Sequence, residues 1–151
     1  MINLTSSAFK DGGLIPAQYT CDGANECIPL RWHGIPDATK SIAIICDDPD
    51  APAGTWVHWV AFNIIPSTTS LESDMDVEAA GGVVGTNSWG KQAWGGPCPP
   101  SGEHRYFFKI YALDKVLSLR ASSDKKEVED AMQGHIIAEG RLMGRYARHS
   151  Q

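Results

Sequence analysis

Apolar residues along the chain form short runs that are separated by glycine and proline. Three runs are rich in β-branched and aromatic residues and predict strands at residues 41–46, 56–65 and 105–113. None of the three alternates cleanly between apolar and polar positions, which is typical of central strands covered on both faces. Weaker runs predict three more strands, at residues 2–4, 30–32 and 83–86.

A single segment near the C-terminus has helical periodicity. Asp124 can cap its first turn, and Glu127 occupies the partner position of a capping box. Five side chains at helical spacing then form one stripe, made by Val128, Ala131, Met132, His135 and Ile136. We expect Gly140 to end this helix and residues 141–147 to form a last strand.

These elements together predict a mostly-β fold, a packed sandwich of sheets with one C-terminal helix. The chain has 151 residues and a mass of 16.4 kDa. That length predicts a single domain over residues 1–151, large enough to bury its own core.

Charge and hydropathy disfavour several classes of partner. The 13 basic and 18 acidic residues leave a net charge of −5, and the longest basic run is the pair at residues 125–126. Nucleic-acid binding requires clustered cations and is therefore not expected. The near-apolar stretch at residues 57–65 is far shorter than the about 18 residues of a membrane-spanning helix. The N-terminal residues lack a secretory signal pattern, so we expect a cytoplasmic protein without membrane insertion.

The cysteines do not predict a disulfide scaffold or a zinc site. There are four, Cys21, Cys27, Cys46 and Cys98, and their spacings match no metal-binding motif. Their number and spacing favour reduced thiols in a cytoplasmic protein. A bridge between Cys21 and either Cys98 or Cys27 remains an alternative.

Three carboxylates follow directly after the first predicted strand. Prolines hold this turn in a defined conformation. Asp47 and Asp50 are expected to cap their own turn, with Asp50 also a candidate partner for Arg105. Asp48 is a candidate site residue as well as a candidate cap.

His58 stands at the start of the second predicted strand. Alternation places it on the same face as three apolar residues, Val60, Phe62 and Ile64. This position fits a buried core histidine, and the flanking tryptophans also make it a candidate pocket wall.

His104 opens the third strand and is a second candidate. It shares a face with Tyr106 and Phe108, whereas Arg105 and Lys109 point the other way. A core aromatic is the alternative role for Tyr106, and a structural ion pair is the alternative for Arg105.

A glycine- and proline-rich segment at residues 94–102 precedes His104. Gly95 and Gly96 would let a ligand approach backbone N–H groups. Convergence of Asp48, His58 and His104 beside it would create a small pocket with one acid and two imidazoles. Such a pocket suits a phosphate or carboxylate group.

Several motifs in this order resemble a known family. They are YTCDG at 19–23, DPDAP at 48–52, W-x-H at 56–58, GGPCPP at 95–100, G-x-H-R-Y at 102–106 and AMQGHIIAEGRLMGRY at 131–146. The sequence resembles the bacterial and archaeal branch of the phosphatidylethanolamine-binding protein family, also called Raf-kinase-inhibitor-like proteins. The resemblance runs from about residue 7 to residue 146, and it rests most on the DPDAP and G-x-H-R-Y motifs occurring together.

This resemblance implies a two-sheet antiparallel β-sandwich with a cavity for phosphate, acetate or a phosphorylated headgroup. By motif, the implied ligand-binding residues are Asp48, His58, His104 and Tyr106, with Gly96 and Pro97 at the mouth. The chain departs from many eukaryotic members at Val57, where they have a second histidine, so we expect a more apolar entrance.

The leading functional prediction is a non-enzymatic, regulatory protein that binds a small anion without a metal or cofactor. A protein partner and a homodimer are further expectations. One alternative is an inhibitor of serine proteases or kinases that presents rigid loops around Pro52 and Pro97. The other alternative is a hydrolase, using a Cys98–His104 nucleophile pair or a metal triad of Asp48, His58 and His104. It is disfavoured because no partner that would orient His104 is visible in the sequence.

Overall fold

The computed structural model describes residues 1–148 and contains two antiparallel sheets. The larger sheet has the order β6-β4-β3-β7-β8, formed by β3 (Ser41–Asp48), β4 (Trp56–Ile64), β6 (Val83–Val84), β7 (His104–Leu113) and β8 (Ile136–Tyr146). The smaller has the order β1-β2-β5, formed by β1 (Asn3–Thr5), β2 (Leu30–His33) and β5 (Ser70–Leu71). The predicted mostly-β, two-sheet fold is confirmed.

The three strongest apolar runs form the centre of the larger sheet. All eight residues of β3 are buried between β4 and β7. This strand extends two residues past its predicted end, because Asp47 still pairs with Phe107 and Asp48 with Trp56. The weaker runs also form strands, with bounds shifted by one or two residues.

The core explains why the central strands lack polar alternation. One apolar cluster lies between the two sheets and includes Ile44, Trp59 and Phe108. A second covers the opposite face of the larger sheet and includes Ile45 and Val128. Both faces of β3 are therefore apolar.

The helices differ from the prediction in number and length. Helix α1 (Asp74–Ala79), which was not predicted, begins at the cap Ser73. A 3-10 turn (Ala17–Tyr19) precedes β2, and helix α2 (Lys125–Met132) begins at the predicted capping box. No helix within residues 1–148 is long and apolar enough to cross a membrane.

The prediction that α2 continues to Gly140 is wrong. Gly134 has a φ of +79°, which turns the chain back, and β8 begins at Ile136. Pairing along β7, from Leu113 to His104, holds these residues as a strand although their local spacing suits a helix. The last strand is consequently longer than the predicted residues 141–147.

A bulge in β4 reverses the predicted side of His58. Cys46 pairs with Trp59 and Asp47 with Val57, so His58 is the extra residue. Its ring contacts Tyr106 on the inter-sheet side of the larger sheet. Two of its predicted neighbours, Val60 and Phe62, instead join the cluster that packs against α2.

Candidate functional site

A pocket of about 360 Å³ opens where the end of β3 meets the starts of β4 and β7. These ends meet at one edge because the three strands are antiparallel neighbours. Its polar residues are Asp48, His58, His104 and Tyr106. Its other lining residues are Ala51, Pro52, Ala53, Trp56, Trp89, Cys98, Pro99 and Pro100.

Asp48 and His104 form a hydrogen-bonded pair at the base of this pocket. The Nδ1 atom of His104 donates to Oδ2 of Asp48 at 2.7 Å, and both residues are buried. The other carboxylate oxygen accepts from the backbone N–H of Asp50 at 2.7 Å. Asp48 is therefore both a turn cap and the partner that orients His104, which the sequence did not reveal. Because a carboxylate accepts, Nδ1 carries the proton and the Nε2 atom is left for a ligand.

His58 is held by the backbone rather than by an acid. Its Nδ1 atom lies 2.7 Å from the carbonyl oxygen of Gly95, to which it donates. Burial lowers the pKa of His58 below its ordinary value of 6.5, so the ring is neutral at pH 7. Trp89 and Tyr106 contact this ring edge-on, each at a centroid distance of 5.1 Å.

Tyr106 lines the pocket and carries a hydroxyl group. The oxygen is buried and has no hydrogen-bond partner among the residues that the structure describes. Burial, aided by the charge of Asp48, raises the pKa of Tyr106 well above 10, so the hydroxyl remains a donor. An unsatisfied buried hydroxyl is costly unless water or a ligand pairs with it.

The predicted amide donors of the glycine-rich loop are already used within the protein. The Gly95 N–H donates to the carbonyl of His58 at 3.1 Å, and the Gly96 N–H donates to Oδ1 of Asn25 at 2.9 Å. A Cβ at Gly96 would lie 2.2 Å from the carbonyl oxygen of Tyr19. The glycine thus permits close packing between loops and does not serve to expose its backbone.

Gly96 and Pro97 are not among the residues that line the pocket. The Pro97 carbonyl accepts from the N–H of Cys21 at 3.1 Å, which directs this part of the loop towards residues 17–25. The next three residues, Cys98, Pro99 and Pro100, line the pocket instead. Residues 98–100 of this loop therefore line the pocket in place of the predicted Gly96 and Pro97.

Cys21 and Cys98 form a disulfide, so the expectation of four reduced thiols is wrong. Packing of their two loops brings the Cα atoms to 5.4 Å, within bonding range. Cys27 and Cys46 remain as free cysteines. Because the Cys98 sulfur is bonded, a Cys98–His104 nucleophile pair is excluded in this state.

The alternative metal triad is not supported. The Nδ1 atoms of His58 and His104 are engaged by Gly95 and Asp48. Across residues 1–148, no group of three His, Cys, Asp or Glu side chains has a metal-binding arrangement.

The neighbouring carboxylates have separate structural partners. Arg105 pairs with Asp50 through two side-chain hydrogen bonds of 2.8 and 2.9 Å, as predicted, and lowers the pKa of Asp50 to about 2. Asp47 does not cap its turn, because strand pairing buries it on the opposite face of the sheet. There it accepts from Lys109 at 3.1 Å and Lys125 at 2.8 Å.

The sequence prediction missed Trp89 as a pocket residue. Its ring would lie 2.3 Å from a Cβ at Gly95, so this glycine makes room for it. Trp89 also contacts Trp56 edge-on at 5.4 Å. The paired glycines at 95 and 96 were a sequence signal of close packing, although nothing local identified the partner.

Comparison with known proteins gives consistent matches over nearly the whole chain. The family model for phosphatidylethanolamine-binding protein matches residues 5–147. A UPF0098 protein of Methanothermobacter thermautotrophicus is 51% identical over 150 residues, covering 97% of this chain and 99% of the relative. A UPF0098 protein of Aquifex aeolicus is 42% identical, covering 98% of this chain and 90% of the relative.

Two crystal structures share the fold. A putative phosphatidylethanolamine-binding protein homolog, CT736 of Chlamydia trachomatis, has a TM-score of 0.91 and 39% identity over 97% of both chains. E. coli YbcL, described as a member of the mammalian phosphatidylethanolamine-binding protein family, has a TM-score of 0.88 and 31% identity. That similarity covers 97% of this chain and 98% of YbcL.

Proposed function

Because the chain belongs to the phosphatidylethanolamine-binding protein family, we propose that it binds a small anion in its pocket and is not an enzyme. The ligand is a phosphate, a carboxylate or a phosphorylated headgroup. The observation that carries this proposal is that Tyr106, which lines the pocket together with His104, has a buried hydroxyl with no hydrogen-bond partner within residues 1–148. A ligand oxygen would satisfy this hydroxyl.

The charge of the pocket determines how an anion can bind. Among the described residues that line the pocket, Asp48 is the one with a carboxylate, and the buried ring of His58 is neutral at pH 7. An anion in this pocket is therefore held by hydrogen bonds beside a carboxylate. The Tyr106 hydroxyl can donate to a ligand oxygen, and the Nε2 atom is the remaining hydrogen-bonding atom of the His104 ring.

The entrance favours an organic ligand over a bare inorganic anion. Trp56, Trp89 and Pro52 line it, and Trp89 keeps 43% of its surface exposed. An aromatic and proline-lined entrance can bury an apolar or weakly polar substituent next to the anionic group. A phosphorylated or carboxylated small molecule fits both parts of the pocket.

The absence of an activated nucleophile supports binding over catalysis. Cys98 is in a disulfide, and no Ser or Thr is among the described residues that line the pocket. No feature of the fold favours protease or kinase inhibition over anion binding, so that alternative stays a prediction. Cytoplasmic location, a regulated partner and a homodimer also stay predictions.

Isothermal titration calorimetry with phosphate, O-phosphoethanolamine and acetate tests the proposal. Tyr106→Phe removes only the hydroxyl, and we expect it to weaken binding about tenfold through one lost charge-assisted hydrogen bond. The matched control is Tyr111→Phe, on the same strand but outside the pocket.

A second variant, His104→Gln, tests whether the ligand binds at the His104 ring. His104→Gln should weaken binding further, whereas His135→Gln, at a histidine outside the pocket that pairs with Asp114, should leave the affinity unchanged. Affinity that is equal in wild type, Tyr106→Phe and His104→Gln would remove the pocket from the proposed function.

A further inference from the structure

A second cleft lies on the opposite face of the larger sheet. It has a volume of about 310 Å³ and lies between β7, β8 and the start of α2. Lys109 and Phe107 line it, and they alternate along β7 with the residues of the first pocket. The two sites therefore share a sheet but no lining residue.

Cations dominate the lining of this cleft. Arg105, Lys109, Lys125 and Arg141 contribute four positive charges. Asp47 is the carboxylate among the described lining residues. Four of the 13 cations of a chain with net charge −5 thus converge on one small concavity.

The two lysines share a single carboxylate oxygen. The Nζ atoms of Lys109 and Lys125 lie 3.1 and 2.8 Å from the same Oδ2 atom of Asp47. Glu129 approaches Lys125 from the helix side at 3.9 Å. Each ammonium has three donors, so both lysines can still donate to a ligand in the cleft.

The two arginines share a single aromatic ring. The guanidinium carbons of Arg105 and Arg141 lie 5.5 and 5.2 Å from the centroid of Phe107. Arg105 is paired with Asp50, whereas Arg141 forms no ion pair with any residue in the described range 1–148. Phe107 orients both planar groups, and Arg141 is available for an anion.

We propose that this cleft is a second anion site, which binds two linked phosphoryl groups. Lys109 and Arg141 lie directly opposite each other in the pairing of β7 with β8, so the arginine pair and the lysine pair border one concavity. Four cations and one carboxylate give the described lining a net charge of +3, which two linked phosphates neutralise more fully than a single phosphate does. A pyrophosphate group reaches both pairs and relieves the repulsion between them. It can come from free pyrophosphate or from a nucleoside diphosphate.

Calorimetry with pyrophosphate and with ADP tests this site at an ionic strength of about 0.05 M, where screening is weak. We expect Arg141→Gln to weaken pyrophosphate binding about tenfold. Lys126→Gln is the control, because it removes the same charge next to Lys125 from a side chain that pairs with Asp130. It should change the affinity less than about twofold. Equal affinity for ADP and pyrophosphate would indicate that the phosphates alone are recognised. Tighter binding of ADP would indicate that the nucleoside also contributes to the affinity.

Pyrophosphate binding in the cleft can be distinguished from anion binding in the first pocket. His104→Gln should leave the Arg141-dependent binding unchanged, even if the pocket binds no anion. The proposal is overturned if pyrophosphate does not bind saturably, or if Arg141→Gln and Lys126→Gln weaken it equally. Binding that is lost in His104→Gln but retained in Arg141→Gln would also overturn it, since the pyrophosphate would then occupy the first pocket.

Discussion

At the scale of single residues, two histidines in one pocket have different surroundings. His104 donates to the carboxylate of Asp48, which fixes the orientation of its ring. Burial lowers the pKa of His58 and favours a neutral ring, although the hydrogen bond to the Gly95 carbonyl acts in the opposite direction. The pocket therefore contains one ring that an acid orients and one that burial keeps neutral.

The buried His58 should make the fold less stable in mild acid. Its folded-state pKa lies below the ordinary 6.5, so the folded protein binds fewer protons than the unfolded chain below that pH. The stabilising effect of neutral His58 is complete above about pH 6.5 and declines as the pH falls towards its folded-state pKa. We expect wild type to lose more unfolding free energy than His58→Gln between about pH 7.5 and pH 5.

Urea unfolding at several pH values measures this difference in slope. His135→Gln is the control, because His135 lies outside the pocket and its removal should leave the His58-dependent loss in place. If the free energy of unfolding depends on pH in the same way for wild type and His58→Gln, the pKa of His58 does not differ between the folded and unfolded states, and the prediction is wrong.

At the scale of elements, irregularities in β4 determine which face each side chain joins. The extra residue at His58 directs its ring to the pocket. A second irregularity lies near Asn63, whose φ is +58°, a conformation that asparagine tolerates better than most residues. The Asn63 amide exchanges hydrogen bonds of 2.9 and 2.8 Å with the backbone of Leu117. One strand thereby supplies both apolar clusters and the pocket.

Helix α2 depends on its capping box, since it has only eight residues. Asp124 accepts from the N–H of Glu127 at 3.0 Å, and Glu127 accepts from the N–H of Asp124 at 3.3 Å. Asp124→Ala should lower the free energy of unfolding by about 1 kcal/mol. Lys126→Ala, which loses one exposed pair, should change it by less than about 0.5 kcal/mol. Chemical denaturation compares them, and equal effects would contradict the role of the cap.

At the scale of the whole molecule, loops distant in sequence hold the pocket together. The disulfide joins Cys21 to Cys98 across 77 residues, and the N–H of Cys21 donates to Pro97. The wall that contains Cys98 is thus anchored to a loop that follows the 3-10 turn. The larger sheet separates this pocket from the cationic cleft, so each can be altered without the other.

Removing the disulfide should cost much of the stability of the fold. Closing a loop of 77 residues restricts the unfolded chain by roughly 4 kcal/mol on the chain-entropy account. We expect the double variant Cys21→Ser, Cys98→Ser to lose stability of this order in urea unfolding. A reductant should destabilise wild type similarly and leave the double variant unaffected, whereas equal stability of all forms would contradict the role of the bridge.

Local patterns predicted those parts of the fold that local forces determine. The β-branched runs of β3, β4 and β7 are strands because apolar side chains on both faces suit a buried central position. The cap at Asp124 was also predictable, since its partner lies three residues away. Alternation placed His104 and Tyr106 on one face of β7, where both line the pocket.

Contacts between distant residues decided the rest. The end of α2 and the start of β8 depend on pairing with β7, and the disulfide depends on the meeting of two loops. The bond from Asp48 to His104 spans 56 residues, and the cationic cleft combines side chains from β7, β8 and α2. Sequence alone therefore determined which residue types are available and which face of a regular strand they share. Only the tertiary structure decided which of them meet, because strand register, bulges and loop packing follow from the free energy of the whole folded chain.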